Sequence, residues 1–200
     1  MIFAVAALAV LVAANSYAAE LKIGDDAPKW SGIIGTDDKE HGLSDFKDAR
    51  AIVLVFTCNH CPVVQAYEDR LIALQKDYKS KGVQVVAVNV NNLAADRLDK
   101  MKVRAKGEDR KDKKPLNFPY LYDRTQKIGR DYGATVTPHV FLLCKDRKIA
   151  YMGAIDDNIN PKQVKTHFLR DALGAVLAGK EPPKTATKAV GCSIKWDEEK

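Results

Sequence analysis

Two apolar runs, with a pair of cysteines and an amphipathic segment between them, restrict the fold of this chain more than any other feature. Residues 52–56 (IVLVF) and 83–90 (VQVVAVNV) are rich in β-branched residues and have the character of buried strands. Apolar residues recur between them at spacings of three and four, which predicts a helix with one buried face: Val64, Tyr67, Leu71, Leu74 and Tyr78. Strand, helix and strand in this order predict a parallel βαβ unit with a right-handed crossover.

The patterns on either side extend this α/β arrangement. Residues 93–106 and 125–132 are predicted helices, and residues 118–122 are a predicted short strand. Residues 140–144 and 148–152 are separated by a polar Lys-Asp-Arg, which predicts an antiparallel hairpin. A final helix is predicted to begin at a cap, Asn160, and to end at Gly179. The polar, turn-rich residues 30–50 predict a small N-terminal hairpin.

Cys58 and Cys61 lie where the first strand ends and the predicted helix begins. Unpaired backbone N–H groups at a helix N-terminus, with a dipole end of roughly half a positive charge, stabilise a thiolate relative to a thiol. Cysteines in such positions titrate at about 3.5 to 7.5, against about 8.5 for a free cysteine. C-x-x-C is also half of many zinc sites, but Cys144 and Cys192 are isolated from each other in the sequence. The spacing therefore favours thiol–disulfide chemistry.

This arrangement resembles the thioredoxin superfamily and, within it, the redoxin or peroxiredoxin-like branch. The resemblance covers residues 21–180: residues 24–30 (GDDAPKW) are similar to the entry segment of that branch, and Thr137-Pro138 to its cis-proline turn. It implies a thioredoxin-like α/β fold, with a central mixed β-sheet flanked by helices and an N-terminal β-hairpin extension. It also implies that Cys58 is the nucleophile, that Cys61 is the resolving thiol, and that Thr137 and Pro138 form the loop beside the substrate.

Two further residues are candidates for supporting this chemistry. A histidine just before the second cysteine also occurs in thioredoxin-fold disulfide oxidases and isomerases, where it stabilises the first thiolate, so His60 is a candidate supporting residue. The alternative is an exposed histidine without catalytic effect. Cys192 lies in residues 191–196 (GCSIKW), which resemble the ending of the same branch, and it could act as a second resolving thiol. A free thiol on a loose tail is the alternative, as is a disulfide with Cys144, which is otherwise expected to be buried and inert.

Two other functions compete with disulfide exchange. With Cys58 and Cys61, His139 could complete a site of two thiolates and one imidazole for a soft metal such as Cu(I), which would make the chain a copper-binding or delivery protein. A thiol-dependent peroxidase is less favoured, because the peroxidases that resemble this chain use P-x-x-x-T-x-x-C. When their cysteine is placed on Cys61, Leu54 stands where proline belongs and Cys58 stands where threonine belongs.

The N-terminus carries a pattern typical of export. Residues 2–14 form an uninterrupted apolar run, and small residues follow at the positions that a signal peptidase recognises. The run is shorter than the roughly 20 residues of a spanning helix, and no basic residue precedes it. We expect a signal peptide over residues 1–19, a thioredoxin-like domain over 20–180 and a C-terminal tail over 181–200. The protein is therefore expected in a periplasm or outside the cell.

The chain is basic, and the basicity is local. The formal net charge is +6, and residues 100–114 hold eight Lys or Arg against three acids. Such a cluster is typical of a solvated helix end and loop, and it allows weak association with an anionic membrane surface. No nucleic-acid motif with interleaved aromatic residues accompanies it, so nucleic acid is not an expected partner.

The sequence thus predicts a thiol–disulfide oxidoreductase that exchanges disulfides with protein thiols. It needs no organic cofactor, but a redox partner must reset the Cys58–Cys61 pair. The direction of electron flow stays open, because Thr57 and Asn59 are not the usual neighbours of the first cysteine. Two structural conditions follow from this prediction. The Thr137-Pro138 bend must lie against the two sulfurs with a cis bond, and the sulfurs must be reachable from solvent.

Overall fold

The computed structural model describes residues 20–109 and 114–198, and its strands form one large and one small sheet. The strands are β1 (Ile33–Gly35), β2 (Glu40–His41), β3 (Ala51–Thr57), β4 (Val83–Asn89), β5 (Tyr120–Tyr122), β6 (Val136–Thr137), β7 (His139–Leu143), β8 (Ile149–Gly153) and β9 (Cys192–Ser193). The helices are α1 (Pro62–Tyr78), α2 (Leu98–Lys106), α3 (Lys127–Asp131) and α4 (Phe168–Leu177). The predicted signal peptide falls outside the described residues.

The large sheet is mixed and has the strand order β2-β1-β5-β4-β3-β7-β8. β3, β4 and β5 are parallel to one another, whereas β7 is antiparallel to β3 and β8 is antiparallel to β7. β1 and β2 form an antiparallel hairpin that is attached along β5. The predicted central mixed sheet, the βαβ unit, the N-terminal hairpin and the β7–β8 hairpin are confirmed.

The sheet separates two apolar layers. On one face, Val53, Val55 and Leu142 pack with α1 and α4. On the opposite face, Phe56 and Phe141 pack with α3 and with the segment that precedes β1. Side chains alternate between the two faces along a strand, so both faces of β3 are buried, which explains its unbroken apolar sequence.

The predicted helix over residues 93–106 begins later than the sequence pattern indicates. Ala94–Asp96 form a 3₁₀ turn, Arg97 is extended, and α2 starts only at Leu98. The carboxylate of Asp96 is fully buried and accepts a hydrogen bond from the backbone N–H of Asn59 at 2.6 Å. This contact with the loop between the cysteines replaces the first turns of the predicted helix.

The final helix also begins later than predicted. Asn160 does act as a cap, since its side chain accepts a backbone hydrogen bond at 3.0 Å, but only the 3₁₀ turn Pro161–Gln163 follows it. Val164 is extended, and α4 begins at Phe168. The predicted end is close to the observed one, because Gly179 follows α4 with a φ of +69°.

The C-terminal segment packs back onto the domain. β9 pairs antiparallel with β6, and Cys192 lies opposite Thr137 in this pair. Further along, Ile194 is 5% exposed, and the Trp196 ring lies against Gly129 of α3. Across residues 20–109 and 114–198, no helix has both the length and the apolar character that a bilayer crossing would need.

Candidate redox site

The two cysteines occupy the connection between β3 and α1. Cys58 directly follows the last residue of β3, and Cys61 is the N-cap residue of α1, with Pro62 at the first helical position. Proline is favoured there because it has no N–H that would need a partner and its fixed φ suits the helix. The positive end of the helix dipole therefore acts most directly on Cys61, while Cys58 lies three residues before it.

The Thr137-Pro138 turn meets both sulfurs. Its peptide bond is cis, and the Thr137 side chain is fully buried. The hydroxyl of Thr137 lies 3.1 Å from Cys58 Sγ, and its carbonyl oxygen lies 3.4 Å from Cys61 Sγ. The first structural condition set by the sequence is met, since one buried residue contacts both thiols.

The two thiols ionise as a coupled pair. A hydrogen bond between them lowers the pKa of Cys61 to about 4, and the hydrogen bond with Cys192 adds to this shift against the opposing effect of burial. The same hydrogen bond with Cys61, together with burial, raises the pKa of Cys58. The reduced pair thus shares one proton, and the two ionisations belong to the pair and not to either sulfur alone.

The second structural condition is not met in this arrangement. The exposed fractions are 1% for Cys58 and 0% for Cys61, so the expectation that solvent reaches the pair is wrong here. The two cysteines form a small buried cluster with Val64, and Val63 and Cys192 pack against it. Strand β9 therefore covers the sulfurs, which explains why the sequence pattern around the pair did not predict their burial.

A hydrogen-bond network fixes the loop between the cysteines. His60 Nδ1 donates to Asp96 at 2.5 Å, and Asp96 also accepts from the backbone of Asn59. The Asn59 side chain donates to the Ala95 carbonyl at 2.8 Å and accepts from the Tyr120 hydroxyl at 2.9 Å. The hydrogen bond to Asp96 fixes the His60 tautomer and leaves Nε2 without a partner among the described residues.

Asp96 is the site residue that the sequence analysis missed. It stood in a predicted helix with no motif around it, whereas it is buried and its charge raises the pKa of Cys58. Cys58, His60 and Asp96 offer ligand atoms within 4.8 Å of one another. Both Asp96 oxygens already accept hydrogen bonds from the loop, so a metal would have to displace bonds that hold the site together.

The alternative metal set of Cys58, Cys61 and His139 is not assembled. Among the described residues, the ligand atoms of Cys58 cluster with those of His60 and Asp96, and His139 is not part of that cluster. His139 lies two residues before Phe141 in β7, and its ring packs on that of Phe141 with centroids 4.6 Å apart. It therefore lies on the sheet face opposite α1, where burial lowers its pKa to about 4.

Cys144 and Cys192 lie at opposite ends of the molecule's central strands. Cys144 follows the far end of β7, where Leu143 pairs with Ile52 at the beginning of β3. Five residues of strand at about 3.3 Å each separate it from the redox end, whereas disulfides need Cα atoms within about 7 Å. All four cysteines are free, and Cys144 is half-buried. The Cys144–Cys192 disulfide that the sequence left open is therefore not formed.

A groove of about 300 Å³ opens beside the cysteine pair. Its walls include Val63 after the second cysteine, Pro138 of the cis turn and Val190 before β9. Val190 is 65% exposed. The groove therefore lies next to the segments that cover the sulfurs, and its wall is partly apolar and partly acidic, with Asp156 and Asp157 on it.

Comparison with known proteins agrees with this geometry. Residues 22–167 match the family model described as Redoxin. The chain belongs to the Redoxin family. The structure of an uncharacterized conserved protein from Geobacillus kaustophilus is 33% identical with a TM-score of 0.81, covering 91% of this chain and 96% of that one. A putative thiol:disulfide interchange protein DsbE from Chlorobium tepidum is 26% identical with a TM-score of 0.63, covering 79% and 99%.

A curated relative points the same way. The thiol-disulfide oxidoreductase ResA of Geobacillus thermodenitrificans (strain NG80-2) is 25% identical over 84% of this chain and 90% of its own length. The fold of the Redoxin chain described here is thioredoxin-like. Its family, its fold and its paired cysteines together support thiol–disulfide oxidoreductase activity.

Proposed function

We propose that this Redoxin-family protein exchanges disulfides with protein thiols through Cys58 and Cys61. The observation that carries the proposal is the convergence of both sulfurs on Thr137, at 3.1 and 3.4 Å. Such proximity places the two thiols side by side. Both are covered in this arrangement, so a protein substrate reaches Cys58 only when β9 moves aside. The groove beside the pair offers space for the side chains of a polypeptide substrate.

In the reductive direction, Cys58 attacks a substrate disulfide and Cys61 resolves the mixed disulfide. When Cys58 acts as the nucleophile, the proton that the pair shares is on Cys61, and Cys61 loses it when it resolves the mixed disulfide. Thr137 supports the Cys58 thiolate, because its hydroxyl contact lowers the pKa of Cys58 against the larger opposing effects. The substrate leaves as a dithiol, and the enzyme keeps the disulfide. The oxidative direction reverses these events.

A trapping experiment tests the roles of the two cysteines. Cys61→Ser should accumulate mixed disulfides with a protein disulfide substrate such as insulin, because the resolving thiol is missing. Cys58→Ser should lose insulin reduction by more than about a thousandfold, as expected when a nucleophile is removed. Turnover is followed by insulin precipitation with a dithiol donor, and mixed disulfides by mass spectrometry.

Cys144→Ser is the matched control, because it removes a thiol at the far end of the sheet and should leave turnover unchanged. Trapping through Cys61 in Cys58→Ser would reverse the two roles. Stoichiometric copper retention without mixed disulfides would instead favour a metal carrier. Steady consumption of peroxide with a thiol donor would favour a peroxidase.

The direction of electron flow is decided by the reduction potential of the pair. Reducing and oxidising members of thioredoxin-fold families differ by about 150 mV, or about 7 kcal/mol for two electrons. His60 next to the pair is expected to favour the reduced form and so a more oxidising disulfide. Equilibration with glutathione buffers, read by alkylation of free thiols, measures this potential.

The proposed setting is outside the cytoplasm, with a separate redox partner that resets the pair. The apolar residues 2–14 support export, and amino-terminal sequencing of the mature protein would show a start near residue 20. Weak association with anionic membranes is proposed for the basic cluster. Arg104 does not contribute, because it is 3% exposed and forms ion pairs with Glu68 and Asp109. Co-sedimentation with anionic vesicles at low and high salt tests this association.

A further inference from the structure

Cys192 is the third sulfur at the redox site and has no role in the two-cysteine mechanism. The register of β6 and β9 sets Cys192 opposite Thr137, the residue that contacts both other cysteines. Its side chain packs on the buried cluster of Cys58, Cys61 and Val64. The Cys61 sulfur therefore lies between two potential disulfide partners.

Gly191 permits this close approach of the tail. A Cβ atom at this position would lie 2.0 Å from the carbonyl oxygen of Thr137, far inside van der Waals contact. Any side chain there would push β9 away from the turn and the Cys192 sulfur away from Cys61. The backbone is thus suited to bring this particular thiol to the pair.

The tail is also held in position beyond β9. The Asn91 side chain accepts from the backbone N–H of Lys195 at 2.8 Å. Gln126 binds the tail on both sides of Trp196, with hydrogen bonds of 2.9 Å to the Lys195 carbonyl and 2.8 Å from the Asp197 N–H. The position of Cys192 is therefore defined by a docked segment of several residues.

The exposure of the three sulfur-bearing residues differs in a way that matters for exchange. Cys58 and Cys61 are at most 1% exposed, whereas Cys192 is only half-buried. An incoming thiol can thus approach Cys192 while the other two are covered. A disulfide held at Cys192 is the form of the oxidised site that a partner can attack first.

We propose that Cys192 is a third redox cysteine, which passes the disulfide between the buried Cys58–Cys61 pair and the surface through a Cys61–Cys192 bond. This rests on the proposed exchange function of the pair and adds the route by which the pair is reset.

The relay is a pair of thiol–disulfide exchanges. In the first, the Cys192 thiolate attacks the Cys61 sulfur of the Cys58–Cys61 disulfide, the new Cys61–Cys192 bond forms, and Cys58 leaves as a thiolate. No electrons enter or leave the protein in this step. In the second, a partner dithiol attacks the Cys192 sulfur and releases Cys61 as a thiolate. The second partner thiol then releases Cys192, and the partner keeps the disulfide.

The ionisation of the site suits the second exchange. The hydrogen bond with Cys61 raises the pKa of Cys192 to about 11 and favours the thiolate on Cys61. A thiol of lower pKa is the better leaving group, so Cys61 is readily expelled when a partner thiol attacks the Cys192 sulfur.

Disulfide mapping tests the proposed bond directly. Trypsin leaves Cys58 and Cys61 together in residues 51–70, and Cys192 in residues 189–195. The full chain carrying Cys58→Ser is oxidised with diamide at low concentration, alkylated, digested and measured by mass spectrometry. We expect the two peptides to be joined in monomeric protein. In Cys58→Ser with Cys192→Ser they should stay separate, and Cys58→Ser with Cys144→Ser should behave like Cys58→Ser alone.

Full alkylation of both Cys61 and Cys192 after oxidation of the Cys58→Ser protein would overturn the proposal. A second measurement uses Cys192→Ser, which retains the strand and the Cys58–Cys61 pair. Reduction of its oxidised form by dithiothreitol should be at least about tenfold slower than in the wild type, and an equal rate would contradict the relay. Failure of the proposed function has a different readout, namely the absence of insulin reduction by the wild type.

Discussion

The two ends of the central strands β3 and β7 are built in opposite ways. At the redox end, three sulfurs gather around Thr137, and His60 Nε2 and His139 Nδ1 lack hydrogen-bond partners among the described residues. At the other end, the Arg147 guanidinium donates to five backbone carbonyl oxygens, those of Phe46, Lys47, Ala49, Cys144 and Lys145. One end gathers thiols and unpaired histidine nitrogens, and at the other end a single guanidinium satisfies a cluster of backbone carbonyl oxygens.

Cys144 and Cys61 illustrate the difference between the two ends. Cys144 is half-buried and lies beside the Arg147 guanidinium, away from the other three cysteines. Cys61 has a thiol on either side and a helix N-terminus behind it. The same residue type thus has different neighbours at the two ends of the sheet, and thiolate stability depends on nearby donors.

Removal of Arg147 should destabilise the end of the sheet at which its guanidinium binds backbone carbonyl oxygens. Arg147→Ala leaves several carbonyl oxygens without their donor, and we expect a loss of about 2 to 3 kcal/mol in the free energy of unfolding. Urea denaturation measures the change, and Lys145→Ala, an exposed neighbour, is the control. Insulin reduction at 25 °C should be unchanged, and a parallel loss of activity would show that the two ends are not independent.

His139 should make the redox end sensitive to acid. Burial lowers its pKa to about 4 in the folded state, against about 6.5 when unfolded, so the unfolded chain binds the proton first as the pH falls. The stabilising effect of the neutral ring is complete above pH 6.5 and is lost towards pH 4. At pH 5 this amounts to about 1 to 2 kcal/mol.

The variant His139→Phe removes this titration. Between pH 7 and pH 5 its melting temperature should fall less than that of the wild type, as measured by circular dichroism. The exposed His167, changed to Asn, should retain the wild-type pH profile. Identical pH profiles for the His139 variant and the wild type would show that His139 is not held neutral by burial.

Asp96 should affect the reduction potential of the Cys58–Cys61 pair, which only the redox end of the sheet determines. Its charge contributes to the raised pKa of Cys58, so Asp96→Asn should favour the thiolate that the pair shares and stabilise the reduced pair. The potential is expected to rise by about 10 to 30 mV, where 30 mV corresponds to about 1.4 kcal/mol. Glutathione equilibration gives the potential, and thiolate absorbance against pH gives the pKa. A merely structural role of Asp96 would change stability but leave both values in place.

Local patterns in the sequence were sufficient for the parts of the fold that depend on them. The β-branched runs predicted β3 and β4, and the three-and-four spacing from Val64 to Tyr78 predicted α1. The positions of Cys58 and Thr137 relative to each other came from the family resemblance, and the 3.1 Å contact agrees with it.

The errors arose where distant residues decide the local structure. Asp96 leaves a helical pattern because Asn59 and His60 bind its carboxylate. His139 follows the cis turn in the chain, but strand alternation directs it to the other face of the sheet. The burial of the cysteines depends on β9, which is more than 130 residues away in sequence. No local pattern contains these long-range contacts.

The docking of Trp196 against Gly129 has a practical consequence for anyone who handles this protein. Its ring fits where a Cβ on Gly129 would come within 2.9 Å, and the Arg130 guanidinium lies 4.8 Å above it. A stop codon before residue 194 would delete Ile194 and Trp196, which hold β9 over the thiols. Preparations shortened at this end are therefore expected to oxidise faster than the full chain and to misreport its chemistry.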